Sequence, residues 1–78
     1  MNQIQIQRFL NYLRALPYYE EEGQFRYYEL RDAIRYALDV KMPYSESRKI
    51  IEELDKQGVI ILHSIHRNGH KTYKINKQ

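Results

Sequence analysis

The chain has 78 residues, 42% of them hydrophobic, with a net charge of +3 and no cysteine. A chain of this length buries only about 60% of the surface that its unfolded form exposes, which excludes a large enzyme with a deep, walled cleft. A mean hydropathy of -0.80 and the lack of any apolar run near about 18 residues argue against a membrane span. The start, MNQIQIQRFL, lacks the charged-then-apolar-then-small order of a secretory leader. Without cysteine there is no disulfide framework, thiolate nucleophile or cysteine-bound zinc. The expectation is one cytoplasmic domain over residues 1–78, held by packing, alone or with a dimer partner.

Helical spacing of Ile6, Phe9, Leu10, Leu13 and Leu16, stopped by Pro17, predicts a first helix over 3–16. A polar connector runs from Tyr18 through Glu20, Glu21 and Glu22 to Gly23. Its three carboxylates read as a solvated loop and not as paired acid/base groups. Gln24-Phe25-Arg26 is short enough to be only a brief edge strand. Tyr27, Leu30, Ala33, Ile34, Ala37 and Leu38 predict a second amphipathic helix over 27–38. Pro43 biases Met42 away from helical angles. A third helix over 44–57 then opens at Tyr44 or Ser45, with Ser45 the natural N-cap. Its apolar face is Ile50, Ile51 and Leu54, and Gly58 is the expected C-terminal glycine.

The period then changes. Val59 to His66 is β-branched and too short for a further helix, and Asn68-Gly69 is a strong hairpin signal. With a two-residue type I′ loop, Arg67 faces His70, Ser64 faces Tyr73 and Leu62 faces Ile75. Ile60, Leu62, Tyr73 and Ile75 then share one sheet face, while Ile61, His63, Ile65, Thr72 and Lys74 share the other. Ile61 and Ile65 on that second face need cover, from helix one and the N-terminus or from a second chain.

Charge divides at the same place. Residues 1–58 hold nine Lys/Arg against ten acids, whereas residues 59–78 hold Arg67, Lys71, Lys74 and Lys77, all three histidines and no acid. Such a split points to a polyanion contact by the C-terminal segment; the alternative is a hairpin whose charges only keep it soluble.

Helix, short strand, helix, turn, helix, hairpin is the order of a winged helix-turn-helix domain. The entry Phe25-Arg26-Tyr27-Tyr28-Glu29-Leu30 resembles that family's approach to its second helix. The run from Ser45 through Leu54 and Gly58 to Ile60 resembles its recognition helix passing into the wing. Asn68-Gly69 sits at the wing tip, and Tyr73-Lys74-Ile75 resembles the return strand. The chain is thus similar, over about residues 4–76, to the winged helix-turn-helix DNA-binding superfamily, of the small prokaryotic, archaeal or viral regulator type. Two departures stand out: the turn from Asp39 to Pro43 is longer than the family's tightest turns, and Ser47 stands where the family usually has an apolar residue.

The resemblance implies an α+β fold, three helices with a C-terminal β-hairpin wing over 59–76, and a short strand near Phe25. It implies sequence-specific binding of double-stranded DNA by a homodimeric transcriptional regulator, with the N-terminal half of the third helix in the major groove. Carried over, Ser45 caps the helix or donates to a base or phosphate, Arg48 and Lys49 take guanine acceptors or phosphate oxygens, and Glu46 accepts from a cytosine amino group. Tyr44 would lie against the sugar-phosphate backbone. Arg67, Asn68, Gly69, His70, Lys71 and Lys74 would meet phosphates or the minor groove, Arg67 being the main contact.

No cofactor, small-molecule ligand, metal site or enzymatic activity is expected. His63 and His66 point to opposite strand faces and no acid is near them in sequence. Tyr12, Tyr27, Tyr36 and Tyr73 read as space-filling core residues with hydroxyls at the rim. A rival reading, a winged-helix adaptor binding protein in a replication, partition or transcription complex, is favoured by the four acids of helix three, Glu46, Glu52, Glu53 and Asp55. Single-strand binding by stacked tyrosines is a third.

Overall fold

The computed structural model describes residues 1–17, 19 and 23–76. Tyr18 and Glu20 to Glu22 of the expected connector, and Lys77 of the basic tail, lie outside the described residues. The elements are α1 (Gln3–Arg14), β1 (Phe25–Arg26), α2 (Tyr27–Ala37), α3 (Tyr44–Lys56), β2 (Ile60–Ile65) and β3 (Lys71–Ile75). The strands form one antiparallel sheet in the order β1-β3-β2. The fold is α+β, in a layout consistent with a winged helix.

A reciprocal cap starts α1. Asn2 Oδ1 accepts from the Gln5 amide at 2.8 Å, and Gln5 Oε1 accepts from the Asn2 amide at 2.9 Å, so two otherwise unpaired donors are satisfied. The helix stops two residues before the expected end. Leu16 precedes Pro17, which disfavours helical angles there, and its amide donates instead to the Leu13 carbonyl at 3.2 Å. At the start of α2, Glu29 is buried and accepts from the Arg26 amide at 2.9 Å, joining β1 to the helix without a loop.

The entry to α3 differs from expectation. Its N-cap is Pro43, with φ -62° and no side-chain cap bond, so Ser45 lies one residue inside the first turn and caps nothing. Pro43 supplies the extended angle that a cap residue needs, and its carbonyl accepts from the amides of Glu46 and Ser47. Upstream, Asp39 Oδ1 accepts from the Lys41 amide at 2.9 Å. This side chain–backbone turn occupies the lengthened connection. The end of α3 follows the sequence reading. Gly58 takes φ +78°, its amide reaches the Asp55 carbonyl, and the Val59 amide reaches that of Leu54. Those two bonds close the helix and turn the chain into β2.

The hairpin register is a correction. No non-glycine residue has positive φ among those described, whereas Gly69 has φ +83°. A type I′ turn would need Asn68 positive as well. Instead Arg67, Asn68 and Gly69 form a three-residue loop closed by the His66 amide on the His70 carbonyl at 2.7 Å and the Gly69 amide on the His66 carbonyl at 2.9 Å. Ile65 therefore pairs with Lys71 and Ser64 with Thr72; a bulge between Leu62 and Ser64 then leaves Leu62 opposite Tyr73 and Ile60 opposite Ile75. The loop and the bulge each move the register by one, and two moves restore parity. Ile60, Leu62, Tyr73 and Ile75 thus keep their shared face, but Ile65 crosses to it. The apolar stripe of Ile61 with Ile65 does not exist, and the argument for a second chain covering it goes too.

The core gathers Phe9 and Leu13 of α1, Leu30, Ala33 and Ile34 of α2, Ile51 and Leu54 of α3, and Phe25, Ile60, Tyr73 and Ile75 of the sheet. Ser47 is fully buried, and its hydroxyl donates to the Pro43 carbonyl at 3.4 Å. A small side chain at that point leaves space for close packing, and the carbonyl provides a partner for its hydroxyl. Of the tyrosines expected inside, Tyr73 is buried and Tyr12 and Tyr27 are half-buried, while Tyr36 is 53% exposed. Tyr36 rests beside Tyr12, with ring centroids 5.3 Å apart, and under Arg8 at 5.7 Å.

Candidate functional site

Because Ile51 and Leu54 of α3 face inward, Ser45, Glu46, Arg48 and Lys49 are exposed. Four of the expected residues, Tyr44, Ser45, Arg48 and Lys49, line one open hollow of about 530 Å³ together with Tyr27 and Arg31 of α2. Glu52 is the acid in that lining; Glu46 takes no part in it.

Tyr27, Arg31 and Arg35 recur at every fourth position, so they share one face of α2. Arg31 lies 4.3 Å from the centroid of the Tyr44 ring and 5.6 Å from that of Tyr27. Arg48 approaches Tyr27 at 6.0 Å, and Arg35 approaches Tyr44 at 5.2 Å. Each cation sits where the negative face of a ring attracts it. Arg35 is also anchored by hydrogen bonds: Nη1 donates to the Tyr44 hydroxyl at 3.4 Å, and Nη2 to the Val40 carbonyl. It ties α2 to the α2–α3 connection and to the first residue of α3. Tyr44, although 54% exposed, is therefore held against α2 and is not a free side chain. Arg31, Arg35 and Tyr27 are members of the site that the sequence reading missed. The every-fourth spacing is the available signal, but Tyr27 reads as core and the two arginines enter the sequence reading only through the charge balance of residues 1–58.

Tyr73 relates the sheet to this face. Burial raises its phenol above the usual tyrosine range, and the Asp55 carboxylate, the Tyr27 hydroxyl and the Glu52 carboxylate push the same way. These groups belong to α3 and to the first residue of α2, the two helices that carry the hollow. Lys71 and Ile65 share the Tyr73 side of the hairpin by register; Lys74, opposite Ile61, is on the other.

At the hairpin tip, Arg67, Asn68, Gly69, His70 and Lys71 are all exposed. Asn68 Oδ1 accepts from the His70 amide at 3.1 Å, so the side chain holds the turn. An added Cβ at Gly69 would meet nothing within 4 Å, leaving that backbone open to a close approach. None of these tip residues lines the hollow; the expected site is two patches. Among the described residues, no three His, Cys, Asp or Glu side chains converge as metal ligands, and no helix is long and apolar enough to cross a membrane.

Compared with protein-family models, curated proteins and solved structures, the chain matches none.

Proposed function

We propose that this protein is a winged-helix domain that binds double-stranded DNA and acts as a transcriptional regulator, with the first two turns of α3 in the major groove and the hairpin on phosphates or the minor groove. The observation that carries this reading is the cation-lined hollow of Tyr44, Ser45, Arg48 and Lys49 at the start of α3. The acid-free charge of the hairpin lies next to it in the chain. Phosphate neutralisation then supplies affinity, and base edges met by α3 supply sequence choice. Lys71 is on the Tyr73 side and joins Arg67 as a contact; Lys74, on the opposite sheet face, contributes only at longer range.

Titration of a fluorescent random duplex at low salt tests this directly, because even non-specific binding shows there. Contacts from Arg48, Lys49, Arg67 and Lys71 give a slope of log K against log salt of about -3 to -4, at about -0.9 per phosphate. Joint replacement of Arg67→Ala and Lys71→Ala is expected to make that slope shallower by about 1.8. An unchanged slope removes the hairpin from the interface. Preference for oligo-dT over duplex would favour single strands, and no binding to either would favour the protein-adaptor reading suggested by the exposed acids Glu46, Glu52, Glu53 and Asp55.

A further inference from the structure

We infer that Arg31 of α2 is a ligand for a backbone phosphate of the bound duplex, held ready by Tyr44 and acting with Arg48 across the Tyr27 ring. The assignment rests on the duplex-binding function proposed above and adds a second helix to the interface.

Arg31 and Arg35 are chemically alike and one turn apart, yet the structure uses them differently. Arg35 spends its terminal nitrogens on the Val40 carbonyl and the Tyr44 hydroxyl. Arg31 makes its contacts with ring faces, at 4.3 Å over Tyr44 and 5.6 Å over Tyr27. The ring contacts hold the charge of Arg31 without using its terminal nitrogens in the way that Arg35 uses its own, which leaves Nη donors for an oxyanion. Arg48 comes to the Tyr27 ring as well, so two cations are drawn into one hollow.

Polar need is left over at the same place. Among the described residues, the Tyr27 hydroxyl and the Nε atoms of both Arg31 and Arg35 are buried without a hydrogen-bond partner. An incoming phosphate would meet the terminal nitrogens of Arg31 and not its enclosed Nε, so the unsatisfied phenol of Tyr27 is the polar need that belongs to this hollow. Ser45 and Lys49 complete a donor-rich lining. Glu52, one turn beyond Arg48 on α3, opposes an anion, which puts the phosphate at the Ser45 end, between Arg31 and Arg48. A phosphodiester needs only donors and positive charge, which the two guanidinium groups and Lys49 supply at any sequence. A guanine edge would take the same donors at one base only, which the two duplexes below distinguish. The stacking also fixes a side chain that is otherwise flexible, so less ordering is lost on binding.

Two neutral variants separate charge from packing: Arg31→Gln, and Arg31→Met, whose apolar stem keeps contact with Tyr44. Each is titrated with an AT-rich and a GC-rich duplex from 50 to 200 mM salt, alongside Arg31→Lys, with circular dichroism confirming the fold. With Arg31 as a fifth contact the wild-type slope steepens to about -4.5. Both neutral variants are expected to weaken the two duplexes equally, by about tenfold, and to return the slope to about -3.6. Arg31→Lys is expected to restore the slope while recovering only part of the affinity, since an ammonium neither stacks flat nor pairs bidentately. If wild-type protein binds duplex and the neutral variants match it in affinity and slope, the phosphate assignment falls and the duplex reading stands. A loss confined to one duplex overturns the assignment in favour of a base contact. Arg31→Lys no better than Arg31→Gln overturns it in favour of a packing role alone. Wild-type protein that binds neither duplex overturns both.

Discussion

The α2–α3 hollow and the hairpin tip both present cations, on scaffolds of opposite kinds. In the hollow, Arg31 and Arg48 lie against tyrosine rings, with Arg35 beside it over Tyr44, on two helices whose inner faces are buried. At the tip, Arg67 and Lys71 are exposed, and the turn that presents them is held by three short-range bonds among His66, Asn68, Gly69 and His70. The first patch is ordered before a ligand arrives, because its side chains are fixed by tertiary contacts. The second presents long side chains in the open, whose ordering would be a cost of any contact made there. In the duplex binding proposed above, the first surface would set register and the second would add charge.

The difference can be broken hardest through the core beneath α3. Ile51 is 1% exposed, and Ile51→Ala is expected to cost about 2–5 kcal/mol in urea denaturation. Ile65→Ala on the hairpin, at a side chain 63% exposed, is expected to change stability by less than about 0.5 kcal/mol. Equal losses would mean that the hairpin is as integral to the core as α3.

A smaller effect sharpens the same contrast. Gly58 and Gly69 both have positive φ, and an alanine Cβ at either meets nothing closer than ordinary contact. Alanine at each position therefore incurs chiefly the left-handed backbone cost, about 1–2 kcal/mol. At Gly58 it should appear in full as lost global stability, since the α3 exit and the start of β2 depend on it. At Gly69 local opening of the hairpin can absorb part of it, so amide exchange at His66 and Gly69 should quicken while the urea midpoint moves less.

Finest of all is a dependence on alkaline pH. The Tyr73 phenol is raised above the ordinary tyrosine value of 10.0, mainly by burial and then by Asp55. In the range above the unfolded value and below the folded one, the unfolded chain gives up a proton that the folded chain retains. Stability is thus fully present below about pH 10 and falls as pH rises through the folded value. Tyr73→Phe is expected to flatten part of that fall in urea midpoints measured from about pH 9 to pH 11.5. The burial-raised phenol of Tyr12, with Asp32 and Glu29 adding to it, accounts for a further part. An unaltered pH profile in Tyr73→Phe would show that its phenol is not held away from water in the folded chain.

Much of the fold can be read along the chain because the signals are local. Pro17 limits α1, Pro43 sets the entry to α3, and Gly58 closes it, each through its own backbone preference. The site is less legible. Arg48 and Lys49 follow from the inward face of α3, but Arg31 and Tyr44 are 13 positions apart and meet only because α2 and α3 pack at a particular angle. Ser47 reads as a departure from the family pattern; in the structure it is the small residue that fills a tight place. Asn68-Gly69 announces a turn without choosing its length, since two-residue and three-residue loops both accept glycine after asparagine.

Local signals along the chain account for the three helices and the terminal hairpin of the described residues, and for a tail without acids, because periodicity, proline, glycine and charge act over a few neighbouring residues. The hairpin register, the face on which Ile65 lies and the approach of Arg31 to the Tyr44 ring emerge only when the chain is packed. Those outcomes depend on distant side chains competing for the same space and the same hydrogen-bond partners, which no local preference encodes.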